Sequence, residues 1–402
     1  MGSIISLGID HFEIDWGKNN CFVNHSRLFL PNDIALAPYH YVDDDTEQPV
    51  VMDNKAYVRP LRSVVKRLEL LGYTIKGCRE AYDRLCSEMP EYYDKPDVDF
   101  DLFAQTVSSI DAEQFRIPDP HWEWDLGEYV VANILNDPEF TKTHAGFESM
   151  SREEGTFFEN IDPYVTLRLL ALNPANLDRL VVWRYADAIE GGWVEEDQLY
   201  EGLHEKDKYL IVTEGSSDTF VLRKSLISTL PDVADFFEFI DMKENYPFTG
   251  TGNLLRFCQG LAKIKVQNKV VVIFDNDTAG RAAYEQVLKV PLPESMTIMK
   301  LPSLHEFESI RTLGPSGEQI EDVNGRAVAI EAFLDLQFLR TEEPKVRWSS
   351  YEKSLGQYQG ELVDKDSYVR IFSENMSGST GYDLSKLSYL WNCILAACGC
   401  GV

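Results

Sequence analysis

The sequence predicts an α/β protein built around a Rossmann-like domain with a mainly parallel sheet, over residues 207–338. Two observations support this prediction. Apolar, β-branched runs at 209–212 and 270–274 each end in acidic residues, which are followed by small or polar residues that can start a helix. A strand and helix pattern fills the sequence between the two runs, as in a parallel βαβ unit. Around this domain we expect three further parts: an acidic α+β module at 1–95, a mostly helical middle region at 96–206 and a small helical tail at 339–402.

Helical spacing of apolar residues predicts the main elements before the central domain. Two helices are expected over 59–87, with a break at Gly72. Asp162, which is followed by a proline, is expected to cap a third helix. The apolar residues of 177–189 also recur at helical spacing, so a fourth helix is expected there.

Carboxylates lie where the two central strands stop. Glu214 follows the first strand, and Asp275 and Asp277 follow the second. Since ligands of open parallel sheets bind beyond the carboxyl ends of the strands, we expect these side chains to converge. Asp218 lies one helical turn after Glu214 and can face the same side. Carboxylate oxygens suit Mg²⁺, and Glu214 can act as a further ligand or as a proton carrier.

At these residues the chain resembles the Toprim domain, which is shared by bacterial primases, topoisomerases and several nucleases. The matching segments are Ile211-Val-Thr-Glu214-Gly-Ser-Ser-Asp218 and Phe274-Asp275-Asn-Asp277-Thr-Ala-Gly280-Arg281. The resemblance implies a compact α/β fold that binds Mg²⁺, or Mn²⁺, and acts on phosphodiesters.

A late acidic residue also belongs to the site that the resemblance implies. Toprim nucleases often add such a residue to the metal set, and Glu331 stands in the right part of the chain, on a helix expected over 327–335. Glu331 could equally belong to the solvated face of that helix. The implied ligand set is Glu214, Asp218, Asp275, Asp277 and Glu331.

Two weaker patterns indicate phosphate binding. The turn Thr249-Gly250-Thr-Gly252 precedes an expected helix, and glycine turns at helix starts can bind phosphate through backbone N–H groups. An ordinary strand-to-helix turn explains it as well. Lys300 ends an expected strand at the same sheet edge and could balance phosphate charge, although a surface ion pair is a common fate of such a lysine.

The N-terminus carries a second resemblance. Met1-Gly-Ser3 and Gly17-Lys-Asn19 are similar to the N-terminal module that is fused to HEPN or Toprim domains in predicted bacterial defence proteins. HEPN ribonucleases use an Arg-x4-6-His motif on a helix. Arg116 and His121 have this spacing, but the intervening Ile-Pro-Asp-Pro cannot be helical, so we expect no HEPN active site.

Charge and composition limit the partners. The net charge is −28, and residues 1–206 hold 39 acidic and 18 basic side chains. Because such a surface repels phosphate, nucleic acid would need metal ions, local cations or a basic partner. The acidic half is a possible binding region for an ATPase or another protein, and a homo-oligomer is possible. Seven cysteines without a Cys-x-x-Cys pair, and the lack of a long apolar run, favour a cytoplasmic protein without a zinc site.

These observations predict a Mg²⁺-dependent endonuclease that hydrolyses RNA, such as tRNA, or DNA. The resemblances imply a toxin-like effector of antiviral defence. Two alternatives stay open: a binding or sensing subunit restrained by an ATPase-containing complex, and a primase-like phosphoryl-transfer enzyme. A topoisomerase is disfavoured because the chain is too short for DNA-gating domains.

Overall fold

The computed structural model describes residues 3–401, apart from 44, 47, 90–97, 115–156, 158, 241–250, 354 and 377–380. The chain divides into two compact units, Met1–Leu203 and His204–Val402. It contains helices with both parallel and antiparallel sheets, so the predicted mixed α/β character is confirmed. Within the described residues, no helix combines the length and the apolar character needed to cross a membrane.

The first unit contains a five-stranded antiparallel sheet with the spatial order β2-β1-β5-β4-β3. Its strands are β1 (Ile4–Ile9), β2 (Phe12–Lys18), β3 (Ile34–Val42), β4 (Pro49–Pro60) and β5 (Leu180–Arg184). The central strand β5 comes from the predicted middle region and lies between β1 and β4. Residues on both sides of the expected boundary at 95 therefore share one sheet.

In the described part of this unit, the longer helices share the main core with the sheet. They are α1 (Leu61–Leu70), α2 (Ile75–Glu88), α3 (Phe100–Ser109) and α4 (Pro163–Leu170); the short α5 (Ala186–Glu190) and α6 (Glu196–Leu199) follow β5. The helices predicted over 59–87 are confirmed. Gly72 separates them with a φ of 104°, which favours glycine. Asp162 caps α4 as predicted, because its side chain accepts a hydrogen bond from Tyr164 N at 2.9 Å.

The helix predicted over 177–189 is wrong. The segment forms strand β5 and then the short helix α5. Val181 and Trp183 point into the main core, whereas Val182 packs on the opposite face with Ala37 and Ala56. A strand that is buried on both faces is apolar at every position, so periodicity alone does not distinguish it from a helix.

The second unit contains a four-stranded parallel sheet with the spatial order β10-β8-β6-β7. Its strands are β6 (Tyr209–Val212), β7 (Phe237–Phe239), β8 (Lys269–Phe274) and β10 (Met296–Lys300), and its connecting helices are α7 (Ser216–Thr229), α8 (Thr251–Ile264) and α9 (Thr278–Val287). Because β6 and β8 are parallel neighbours, their C-terminal ends lie side by side.

The described part of the second unit contains further strands. A second four-stranded sheet has the spatial order β12-β11-β14-β15, and β9 and β13 form a short antiparallel pair. The bounds are β9 (Asn276–Asp277), β11 (Ile310–Gly314), β12 (Gly317–Glu321), β13 (Ala327–Val328), β14 (Lys345–Glu352) and β15 (Gln357–Leu362), followed by helices α10 (Lys365–Asn375) and α11 (Ser385–Ala397).

Two helix predictions in this unit are wrong. The expected helical tail begins with β14 and β15, whose polar residues, including glutamine, glutamate and lysine, give a weak strand signal. The helix expected over 327–335 is instead strand β13 followed by a 3₁₀ turn, Ile330–Phe333. Nearly every residue of that run is buried, so its sequence has no amphipathic pattern that separates helix from strand.

Candidate active site at the ends of strands β6 and β8

Two hydrogen bonds hold the carboxylate of Glu214 between neighbouring elements. Its Oε1 accepts from Asp275 N at 3.1 Å, and its Oε2 accepts from the Thr251 hydroxyl at 2.6 Å. Asp275 directly follows β8, and Thr251 begins α8. The side-by-side strand ends therefore bring Glu214 and Asp275 together, although 61 positions separate them in the sequence.

Asp218 occupies the first turn of α7. Its Oδ2 accepts a hydrogen bond from Gly215 N at 2.9 Å, which satisfies an N–H group before the helix start. Its side chain is buried, with an exposure of 9%. A negative charge is favourable beside a helix N-terminus, so this position accepts an ionisable group that burial alone would disfavour.

Asp277 caps helix α9. Its Oδ1 accepts from Gly280 N at 2.7 Å, and its Oδ2 accepts from the Gln359 amide. A Cβ on Gly280 would lie 2.3 Å from the carbonyl oxygen of Asp275, so only glycine allows the helix to start this close to the end of β8. The Asp-x-Asp-x-x-Gly spacing thus places both carboxyl groups at one sheet edge.

Glu331 lies in the 3₁₀ turn that follows β13, and β13 pairs directly with β9. Its side chain is buried, with an exposure of 6%. Burial raises the pKa of Glu331, while the positive charge of Lys365 acts in the opposite direction. The structure thus makes Glu331 a buried acid rather than a residue on a solvated helix face.

The five carboxyl groups influence one another electrostatically. Burial holds the pKa of Asp275 well above its ordinary value, and the charges of Asp218, Glu214, Asp277 and Glu331 raise it further. Burial and the neighbouring acids Glu331 and Glu214 raise the pKa of Asp218 to about 7. Burial, with a contribution from Asp277, also raises the pKa of Glu214. Perturbed groups concentrated at one place are typical of functional sites.

The chemistry of this donor set fits a hard divalent cation. All five members offer carboxylate oxygens, and a cation would relieve the repulsion that raises their pKa values. Among the residues that the structure describes, no three Asp, Glu, His or Cys side chains are arranged as a ready metal cage. Mg²⁺ is usually held by one or two carboxylates together with waters and substrate phosphate, and such a site requires no cage.

The predicted phosphate-binding residues have separate outcomes. Lys300 ends β10 beside β8, and its Nζ donates to Asn276 Oδ1 at 3.5 Å, next to the two aspartates. Gly252 lies in the first turn of α8, where a Cβ would meet no atom within 4 Å, so space does not require glycine there. Gly250 lies outside the described residues, as do Arg116 and His121.

Three polar neighbours of the carboxyl groups were not predicted. Thr251 donates a hydrogen bond to Glu214, and Gln359 donates one to Asp277. Burial raises the pKa values of Asp277 and Glu331, and the positive charge of Lys365 opposes this rise. Gln359 and Lys365 belong to the segment predicted as a helical tail. Polar alternation within 357–362 was a signal for strand β15, but nothing in the sequence indicates that this strand meets Asp277.

Comparisons with known proteins bear on the first half of the chain. A family model described as HEPN/Toprim N-terminal domain 1 matches residues 1–207, just over half of the chain. The match ends before Glu214, so it does not include the carboxyl groups described above. No curated protein and no solved structure matched the chain.

Proposed function

The chain belongs to the HEPN/Toprim N-terminal domain 1 family, and we propose that its second unit is a Toprim-type, metal-dependent endonuclease. One observation carries this proposal: Glu214 and Asp275 follow adjacent parallel strands and are joined by a hydrogen bond of 3.1 Å, and burial with the charges of Asp218, Glu214, Asp277 and Glu331 raises the pKa of Asp275. Clefts at such strand ends are where open α/β sheets bind ligands. The proposed substrate is the phosphodiester backbone of RNA, such as tRNA, or of DNA.

In the proposed mechanism, Asp275 and Asp277 would hold Mg²⁺ or Mn²⁺, Asp218 and Glu331 would complete the ligand set, and Glu214 would either join this set or accept a proton. The bound cation would neutralise phosphate charge and favour deprotonation of water. Glu214 accepts the proton of the attacking water as the new P–O bond forms and the bond to the leaving oxygen breaks; the leaving oxygen takes a proton from solvent. Thr251 and Asp275 N hold Glu214 in a single orientation for this transfer.

Cations beside the carboxyl groups would bind the flanking phosphates. A cavity of about 640 Å³ is lined by Arg347, Lys365 and Arg370, together with acidic and apolar residues of β15 and α10. The side chains of Arg347 and Arg370 make no hydrogen bond or ion pair with another residue in the described part of the chain. Lys365 acts electrostatically on Asp277 and Glu331, so the cavity lies near the acids. In a protein of net charge −28, unpaired arginines are suited to an anionic substrate. Lys300 is proposed as a further phosphate contact.

The family name supports a role in a conflict system. In this proposal the protein is a cytoplasmic, toxin-like effector of antiviral defence, and its acidic first unit binds a regulatory partner such as an ATPase. Unrestrained expression of the soluble protein should then slow cell growth, and Asp275→Asn should restore it. Normal growth with abundant soluble wild-type protein would contradict the effector role.

The nuclease proposal is tested by cleavage of labelled plasmid, single-stranded DNA and total tRNA with Mg²⁺ or Mn²⁺. We expect Glu214→Gln and Asp275→Asn to lower the cleavage rate by at least about 100-fold, since each removes a ligand or a proton acceptor. Glu285→Gln, an exposed substitution on α9, is the matched control and should cleave at the wild-type rate.

The other outcomes separate the alternatives. Pure, folded protein that cleaves none of these substrates would contradict the nuclease and favour a binding or sensing subunit held by a partner. Incorporation of nucleotides into a primer or template, without cleavage, would favour a primase-like enzyme. Equal loss of activity in Glu285→Gln would show that the effect comes from charge or folding and not from the site.

A further inference from the structure

A cavity of about 380 Å³ lies on the sheet of the first unit, far in the sequence from the proposed nuclease residues. It opens on the face opposite the main core, where Val58 and Val182 belong to a small apolar cluster. Apolar side chains form one part of its wall, and the polar part is formed by Asp10, His11, Glu113, Arg179 and Arg184. Its volume falls within the range of about 300–1,000 Å³ that is usual for small-molecule sites.

Arg184 is a fixed cation without an acidic partner. Its Nε donates to Pro38 O at 2.8 Å and its Nη2 donates to Asp10 O at 3.1 Å, so two main-chain carbonyls determine the orientation of the guanidinium. Within the described residues, Arg184 forms no ion pair with a carboxylate. Glu13 and Asp10 act on Arg184 electrostatically without forming an ion pair with it, and burial raises the pKa of Glu13. The guanidinium of Arg184 therefore has no carboxylate in direct contact among the described residues.

Arg179 differs from Arg184 in this respect. It pairs with Asp10 at 3.6 Å and also with Glu113, the two acidic residues that line the cavity. Among the described residues, Arg184 is therefore the arginine of the cavity wall that forms no ion pair.

Two histidines beside Arg184 have unused ring nitrogens. The rings of His11 and His40 meet edge to face, with centroids 5.6 Å apart. His11 Nδ1 and His40 Nε2 are buried and have no hydrogen-bond partner among the described residues. Burial, with the charges of Arg184 and His11, lowers the pKa of His40. Buried polar atoms without partners are uncommon and favour a missing group that would complete them.

We propose that this cavity binds a small phosphate monoester of mononucleotide size. The phosphate would accept hydrogen bonds from Arg184 and His11, and the body of the ligand would pack against Leu36, Pro38 and Val58. A guanidinium and an imidazole N–H group are well-matched donors for phosphate oxygens. This site is separate from the proposed nuclease residues and does not depend on their activity.

The test is isothermal titration calorimetry of the full chain with inorganic phosphate, the monophosphates AMP, GMP, CMP and UMP, and adenosine without phosphate. We expect at least one monophosphate to bind with a stoichiometry of one, and adenosine to bind at least about tenfold more weakly than AMP. His11→Gln and Arg184→Lys should each weaken binding by about tenfold or more. The first removes the imidazole N–H donor, and the second removes the planar guanidinium that can donate two parallel hydrogen bonds.

Controls separate binding from folding. His305→Gln, whose side chain is 95% exposed in the other unit, should bind like wild type. Arg184 also binds the carbonyl groups of Pro38 and Asp10, so its variant is compared with wild type by circular dichroism. If that variant unfolds, His11→Gln still tests the proposal. The proposal is overturned if folded wild type binds no monophosphate, if inorganic phosphate alone binds, or if folded His11→Gln binds as tightly as wild type.

Discussion

At the scale of single residues, the site consists of acids placed where charge is unfavourable. Asp218, Asp275 and Glu331 are buried or beside other carboxylates, and each has a raised pKa. The sequence could name these acids because they follow strands or resemble a motif. It could not indicate that Thr251 and Gln359 hold two of them, because those hydrogen bonds join positions 37 and 82 residues apart.

The raised pKa of Asp218 predicts a stability that depends on pH. Its pKa rises from an ordinary 3.8 to about 7 on folding, so the folded state binds the proton more tightly. Stability from this group is present below pH 4 and is lost as the pH rises through 7. Asp218→Asn should therefore raise the free energy of unfolding at pH 8 by an amount on the order of a few kcal/mol, and much less at pH 4.

Thermal and denaturant unfolding in the presence of EDTA measures this effect, since EDTA removes cations that would mask it. Asparagine keeps an oxygen for the hydrogen bond from Gly215 N. An Asn variant that is less stable than wild type at pH 8 would contradict the electrostatic account.

At the scale of elements, the site depends on the short distance between the end of strand β8 and the first turn of helix α9. The sequence indicated β6, β8 and α9 well because apolar runs, acids and glycine follow one another there. It failed for β5, β14 and β15. In strand β5 the consecutive residues Val181, Val182 and Trp183 are all buried, so they show no alternation of apolar and polar residues. Strand β14 is largely polar, and the polar alternation of β15 is a weak signal within a segment expected to be helical.

Two glycine substitutions test this close approach. Gly280→Ala places a Cβ 2.3 Å from Asp275 O and should lower the free energy of unfolding by about 1–3 kcal/mol and impair cleavage. Gly260→Ala, in the exposed middle of α8, meets no atom within 4 Å and should be neutral or stabilising by up to about 1 kcal/mol. Urea unfolding of both variants distinguishes them; equal stability would show that α9 can move away from β8 without cost.

At the scale of the whole molecule, the acidic charge makes local cations decisive. The composition already predicted that nucleic acid would need metal ions or local basic groups. It could not say which groups, because the cavity beside the acids is formed by β14, β15 and α10, and no pattern in the sequence indicates that these elements meet the acids.

The three basic side chains of the 640 Å³ cavity predict how nucleic-acid binding depends on salt concentration. Substituting glutamine for Arg347, Lys365 and Arg370 together should weaken binding of a labelled RNA or DNA and reduce the slope of log K against log salt by roughly 2–3. Filter binding with Ca²⁺ in place of Mg²⁺ measures this without cleavage.

The matched control substitutes glutamine for Lys263, Lys289 and Lys353, three exposed lysines of the same unit. It changes the net charge by the same amount and should leave the slope nearly unchanged. If both triple variants weaken binding equally, the effect is general charge and not the cavity.

The hydrogen bond from Gln359 to Asp277 has a consequence for the order of synthesis. The two residues are 82 positions apart, and Gln359 leaves the ribosome after all five acids of the site. A chain that stops before residue 359 therefore carries every carboxyl group but lacks the amide that orients one of them.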